Sequence, residues 1–248
     1  MVRVQTYTSN MYQKYTLTYN DPMLMEHAVM AMNWSYKELE SVGRRRLSAN
    51  FYLREFLYSE VAQHFGVINS PENLELATEA GSALCENVLE PIQAAWGRVH
   101  IRSGYRSPEV NELGNKNRMN CASNARNSAA HIWDQRDDRG FCGATACIVI
   151  PRYREYFERT GDWMSLAWWI HFHVPDYYEM CFFKEQCAFN IRWYEGNDGQ
   201  KSIKTYLKNP ETGDKSSLVS RGVIQKLYQS QSPANLYQHA ANIIGGEG

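Results

Sequence analysis

The sequence predicts an α+β fold, and three observations predict it. Asn73 to Trp96 places Leu74, Ala77, Ala80, Leu84, Val88, Ile92 and Trp96 at close to helical spacing. Gly143–Ile150, Glu179–Phe183 and Cys187–Glu195 read as short strands bounded by turn residues. At 248 residues and 44% hydrophobic content, the chain has ample material for a packed core.

Taken in order, Met1 to Arg46 stands apart as an N-terminal arm. Thr6–Tyr19 is rich in Thr, Tyr, Ser and Asn, and Tyr15 to Tyr19 alternates like a strand until Asp21-Pro22 breaks it. Tyr15 and Tyr19 are candidate interface residues on an arm that needs a partner surface. Phe51 to Phe65 reads as a helix ended by Gly66, and Pro91 should kink the 73–96 helix near its last turn. Val99–Ile101 is a short strand. It leads to the turn Ser103–Pro108 and then to a helix over Glu109–Asn115 with Pro108 at its first turn. Arg152–Arg159 and Asp162–His171 read as helices, the second largely buried. Its Trp168 and Trp169 suit a core or an interface. The chain ends in a C-terminal tail: a hairpin around Asn209–Asp214 and a last helix over Pro233–Ile243. The expected division is an arm over 1–46, a domain over 47–196 and a tail over 197–248.

A net charge of −1 gives no global reason to expect nucleic acid or an anionic membrane as partner. No apolar run approaches the roughly 18–20 residues that span a bilayer. Met1–Thr6 lacks the charged-then-apolar pattern of a signal peptide, so the expectation is assembly in a cytoplasm. Six cysteines occur without a C-x-x-C pair, which favours reduced, buried thiols over disulfides or a structural zinc site.

Asn87–Ile92 (NVLEPI), followed by Ile101–Pro108 (IRSGYRSP), closely resembles the zinc D-alanyl-D-alanine carboxypeptidase family, which includes phage cell-wall endopeptidases. The resemblance covers roughly Leu47 to Glu195. It implies a small antiparallel sheet packed with helices, and a zinc held by three protein ligands that leave a fourth position for water. The metal lowers the pKa of that water, and a carboxylate takes its proton. Arg106 matches the arginine that grips the substrate carboxylate. Glu179 and Glu195 are candidates for the general base by location only.

His131 stands where the resemblance expects the first ligand, three residues after Ser128 rather than two. Two alignments follow. In one, Asp138, seven residues on, is the second ligand, and His173 completes the set. In the other, which is preferred because it keeps the small residues and the strand after them, Gly143–Ile148 is the glycine-to-strand phrase. Cys147 then takes the aspartate's place and Asn190 that of the later histidine. His171 and His173 lie two apart, which on a helix puts them about 200° apart around the axis. Asp134, Arg136 and Asp137 are expected in salt bridges or an interface.

The expectation is therefore a phage virion structural or assembly protein, from tail, baseplate or capsid surroundings, with a degenerate metal site. No cofactor is required, though a thiolate leaves room for noncatalytic zinc. Its partners would be other virion proteins and copies of itself, with neither nucleic acid nor membrane. The alternatives are an active zinc peptidase acting on peptidoglycan peptides and a noncatalytic wall-binding module using a groove around Tyr105 and Arg106.

Overall fold

A computed structural model describes residues 34–210 and 212–246. The chain divides into Met1–Ser35 and a compact unit, Tyr36–Gly248. Tyr15 and Tyr19 lie outside the described residues.

The unit opens with helix α1 (Tyr36–Gly43) and a 3-10 turn, Leu53–Phe56, before helix α2 (Glu60–Phe65). The single helix expected over Phe51–Phe65 is thus broken. Ser59 is extended and caps Ala62 N–H, the Phe56 carbonyl accepts from Tyr105 N–H, and the Leu57 carbonyl accepts from Asn69 Nδ2. Bonds to the following loops have replaced the helix's own.

The long helix is continuous but not uniform. Helix α3 (Leu74–Leu84) passes through a π turn, Cys85–Leu89, into helix α4 (Glu90–Trp96). Pro91 has no N–H to give the i−4 carbonyl, and the wider turn, in which Glu90 N–H reaches Cys85 O, accommodates it. Strand β1 (His100–Ser103) follows, then helix α5 (Pro108–Lys116), with Ser107 capping Val110 N–H and Pro108 in the first turn. The short helix α6 (Asn124–Asn127) leads to strand β2 (Gly143–Val149).

Helix α7 (Pro151–Thr160) and helix α8 (Met164–His173) precede strand β3 (Glu179–Phe182) and strand β4 (Phe189–Tyr194). Strands β5 (Ser202–Thr205), β6 (Val219–Ser220) and β7 (Val223–Ile224) continue the sheet. Helices α9 (Pro233–Leu236) and α10 (Gln238–Gly245) close the chain. The last helix expected over 233–243 is split at Tyr237.

The fold is α+β. Its seven-stranded sheet has the order β1-β2-β4-β3-β5-β6-β7, and every pair is antiparallel except β3–β5. The expected tail is part of this sheet, because β5 pairs along the whole of β3 and hands on to β6 at Ile203–Val219. The N-terminal boundary also moves, from 46 to 36: Arg54 Nε donates to Gly43 O, tying α1 to the unit.

Helix α3 packs on β2 and β4. Helix α8 is buried on all sides over Ser165–Ile170. Trp169 meets Trp96 edge-on at 5.4 Å, and Trp168 meets Tyr228 at 5.6 Å. Trp168 and Trp169 are 1% and 7% exposed, so of the two places expected for them, core or interface, they take the core. No helix among the described residues is long and apolar enough to cross a membrane.

Candidate functional site

Register assembles the site. Ser103 opposes Cys147, Cys147 opposes Asn190, Asn190 opposes Cys181, and Cys181 opposes Lys204. Directly opposed residues share a face, so these five side chains form one row across five strands. Two positions along each strand, Thr145, Arg192, Glu179 and Ser202 form the next row. The first row floors a cleft of about 720 Å³ that Arg106 and His131 also line.

Two loops wall this cleft and clasp each other. Arg106 N–H donates to His131 O at 2.8 Å, and His131 Nδ1 lies 3.0 Å from Gly104 O. That carbonyl can only accept, so Nδ1 carries the proton and the Nε2 lone pair faces Asn190 Nδ2, 3.4 Å away. Burial, and then the Arg106 charge, hold the imidazole down to about 3, so it is neutral. A Cβ on Gly104 would meet Phe56 Cβ at 2.8 Å, which keeps this corner to glycine.

The His131 loop is pinned from below. Ala129 is left-handed (φ +54°), and its carbonyl accepts from Arg192 Nε at 3.0 Å and Nη2 at 2.7 Å. The Arg192 guanidinium lies over the rings of Tyr178 and Tyr194. Ala129 O would also lie 2.3 Å from a Cβ at Gly143, so glycine is required where β2 begins.

Asn69 plays the same part for the Ser103–Pro108 turn. Its Nδ2 donates to Leu57 O and Tyr105 O, both at 2.9 Å, and its Oδ1 accepts from Ser107 N–H at 2.7 Å. Asn69→Ala strands these three groups and should lower unfolding free energy by about 2–4 kcal/mol in urea titrations. An unchanged midpoint would show that the turn holds without it.

The structure brings together His131, Cys147, Asn190 and Arg106. Asp138 and His173 are elsewhere. Asp138 is exposed on the turn after Asp137, whose Oδ1 accepts from Arg139 and Phe141 N–H. His173 Nδ1 is bonded to Trp169 O, and its ring stacks on Trp169 at 4.7 Å. The ligand set His131, Asp138 and His173 is therefore not assembled. Its failure lies in helical geometry: α8 points His171 towards Tyr177 OH and His173 back along its own turn.

Glu179 lines the cleft but is paired with Lys204. Glu195 lies outside it, accepting from Cys142 N–H and from Arg136. Tyr105 is fully buried and donates to Asp134 Oδ2 at 3.0 Å, so its hydroxyl is committed to the core. Asp134 itself is buried and bonded to Tyr105 and Glu72 N–H, while Arg136 pairs with Glu195 and Asp137 accepts from Tyr194 OH.

The donors facing the cleft do not fit a hydrolytic zinc. Asn190 is a neutral amide, and burial pushes the Cys147 thiol up to about 11. Among the described residues, no three of the cleft's donors His131, Cys147, Cys181, Glu60 and Glu179 bring their ligand atoms within 4.8 Å of one another. Among the described residues, the group whose ligand atoms lie within 4.8 Å of one another is Glu79, Cys142 and Glu195. Arg136 pairs with both of those carboxylates, at 3.7 and 3.0 Å. Burial, followed by the Glu195 charge, pushes the Cys142 thiol up to about 12. Among the described residues all six cysteines are free thiols.

Sequence reasoning missed Asn69, Arg192 and Arg102. Arg192 had a signal, since it lies two residues from Asn190 on a strand and shares its face. Comparison with protein-family models, with curated proteins and with solved structures finds no match to this chain.

Proposed function

We propose that this chain is a phage virion structural or assembly protein built on a zinc D-Ala-D-Ala carboxypeptidase-like domain that has lost hydrolysis. The observation that carries the loss is the donor set of the cleft. The positions at which the resemblance expects a metal hold His131, Cys147 and Asn190, and of the two carboxylates lining the cleft, Glu60 and Glu179, the one on the sheet is tied to Lys204. Without a metal-activated water, the zinc route to peptide hydrolysis has no nucleophile. The assignment to a virion rests on the resemblance to phage members, and its partners would be neighbouring virion proteins and further copies of the chain. A second reading, a noncatalytic wall-binding module, is favoured by the persistence of an open cleft with Arg106 in its wall.

Elemental analysis of the purified protein, with His131→Ala as control, tests the loss of hydrolysis. The expected result is no stoichiometric zinc, even after zinc is supplied. One zinc per chain, absent from the variant, together with cleavage of D-Ala-D-Ala peptides, would restore the peptidase. Mass spectrometry of purified particles tests the virion assignment, which fails if the chain is found only in the lysate.

A further inference from the structure

Arg102 owes its place to a β-bulge. Ile101 opposes Ile148 and Ser103 opposes Cys147, so two steps on β1 match one step on β2 and Arg102 is the extra residue. In a regular strand Arg102 and Ser103 would face opposite sides, whereas here both line the cleft. Arg106 enters from the turn. Among the described residues, neither guanidinium makes a hydrogen bond or an ion pair. The other charges facing the cleft are Glu60, Glu179 and Lys204. Lys204 satisfies Glu179, and the lone Glu60 leaves the arginine pair in positive excess.

One guanidinium fork satisfies both oxygens of a carboxylate, whereas the three terminal oxygens of a phosphate monoester can accept from two forks. Tyr206 also lines the cleft. It is 59% exposed and stacked on Phe183 with ring centroids 5.7 Å apart and planes 14° apart. A braced, exposed aromatic face suits a flat or ring-shaped ligand body.

We infer that the cleft takes a ring-bearing phosphate monoester, with Arg102 and Arg106 holding the phosphate and Tyr206 supporting the ring. This rests on the reading of the cleft as a binding site without hydrolytic metal. It differs from the single-arginine grip on a peptide carboxylate that the resemblance implies. The phosphate is the shared chemistry of nucleotides and sugar phosphates, and the ring separates them.

Titration calorimetry on the full chain, dialysed against EDTA, would compare AMP, glucose 6-phosphate, inorganic phosphate and D-alanyl-D-alanine. At least one ester should bind more tightly than inorganic phosphate and than the dipeptide. The better ester identifies the ring as base or sugar. Arg102→Gln and Arg106→Gln should each weaken it about tenfold or more. Arg102→Lys, which keeps the charge on an exposed side chain but loses the fork, should restore only part. Tyr206→Ala should weaken the ester and leave inorganic phosphate unchanged. Tighter binding of the dipeptide, equal binding of phosphate and both esters, or an unaltered affinity in Arg102→Gln would each overturn the inference. Zinc at His131 together with cleavage of D-Ala-D-Ala peptides would overturn the loss of hydrolysis proposed above, and the ligand comparison in EDTA would still be readable.

Discussion

Acidification from pH 7 to pH 4 should destabilise the Tyr36–Gly248 unit by about 3 kcal/mol through His131 alone. The imidazole is held down to about 3 by burial and by Arg106, while in the unfolded chain it titrates near 6.5. A depressed folded pKa means that the stability is present above 6.5 and lost as pH falls towards 3, at about 1.4 kcal/mol per pH unit. His171, lowered to about 4 chiefly by burial and then by Lys201, adds in the same direction over pH 6.5 to 4. Asp134 acts in the opposite sense. Burial raises its carboxyl, so the folded state favours the protonated form and loses stability as pH rises through that raised value. Urea titrations across this range should show the midpoint falling with pH. His131→Asn, whose amide can still donate to Gly104 O, should remove about half of the fall. A variant with the wild-type pH profile would show that the His131 ring does not carry the effect.

Arg192→Met should cost about 3 kcal/mol, because it removes two charge-assisted bonds to Ala129 O and leaves that carbonyl beneath the loop without a donor. Losing the guanidinium over Tyr178 and Tyr194 adds to this. The damage should be local first. Ala129 N–H and Ile132 N–H, which close the His131 loop through Gln135 O and Asn127 O, should exchange faster than amides in β2. Arg192→Lys keeps the charge without the fork and should fall between the two. Unchanged exchange at Ala129 in Arg192→Met would mean that the loop's shape comes from its own backbone bonds.

How much of this is legible in the sequence depends on how local the cause is. The cap on α5 is local, since Ser107 and Pro108 settle it, whereas the Ser103–Pro108 turn leans on Asn69 and on Phe56 beside Gly104. Helix α8 is legible from its unbroken apolar run. The break at Ser59 is not, because the groups that take the Phe56 and Leu57 carbonyls, Tyr105 N–H and Asn69 Nδ2, belong to later parts of the chain. Strand parity puts Asn190 and Arg192 on one face. Only the register with β2 sets Cys147 beside Asn190, and register is a tertiary fact. The bulge that turns Arg102 into the cleft has no sequence mark, because no glycine or proline stands there. Asp138 and His173 looked eligible because chain order carries no information about direction. A turn and a helix end point them away from His131.

The parallel pairing of β5 with β3 has a consequence for the order of synthesis. Until Ser202–Thr205 has left the ribosome, β3 carries an unpaired edge that exposes the backbone of Met180 and Phe182. The segment from 47 to 196 is therefore not a self-sufficient piece. A nascent or truncated chain ending there offers the same open edge to any neighbouring strand, including the β3 of a second copy. The last quarter of the protein thus acts as its own protection against strand-to-strand aggregation, and it comes into play only after everything it protects has been made.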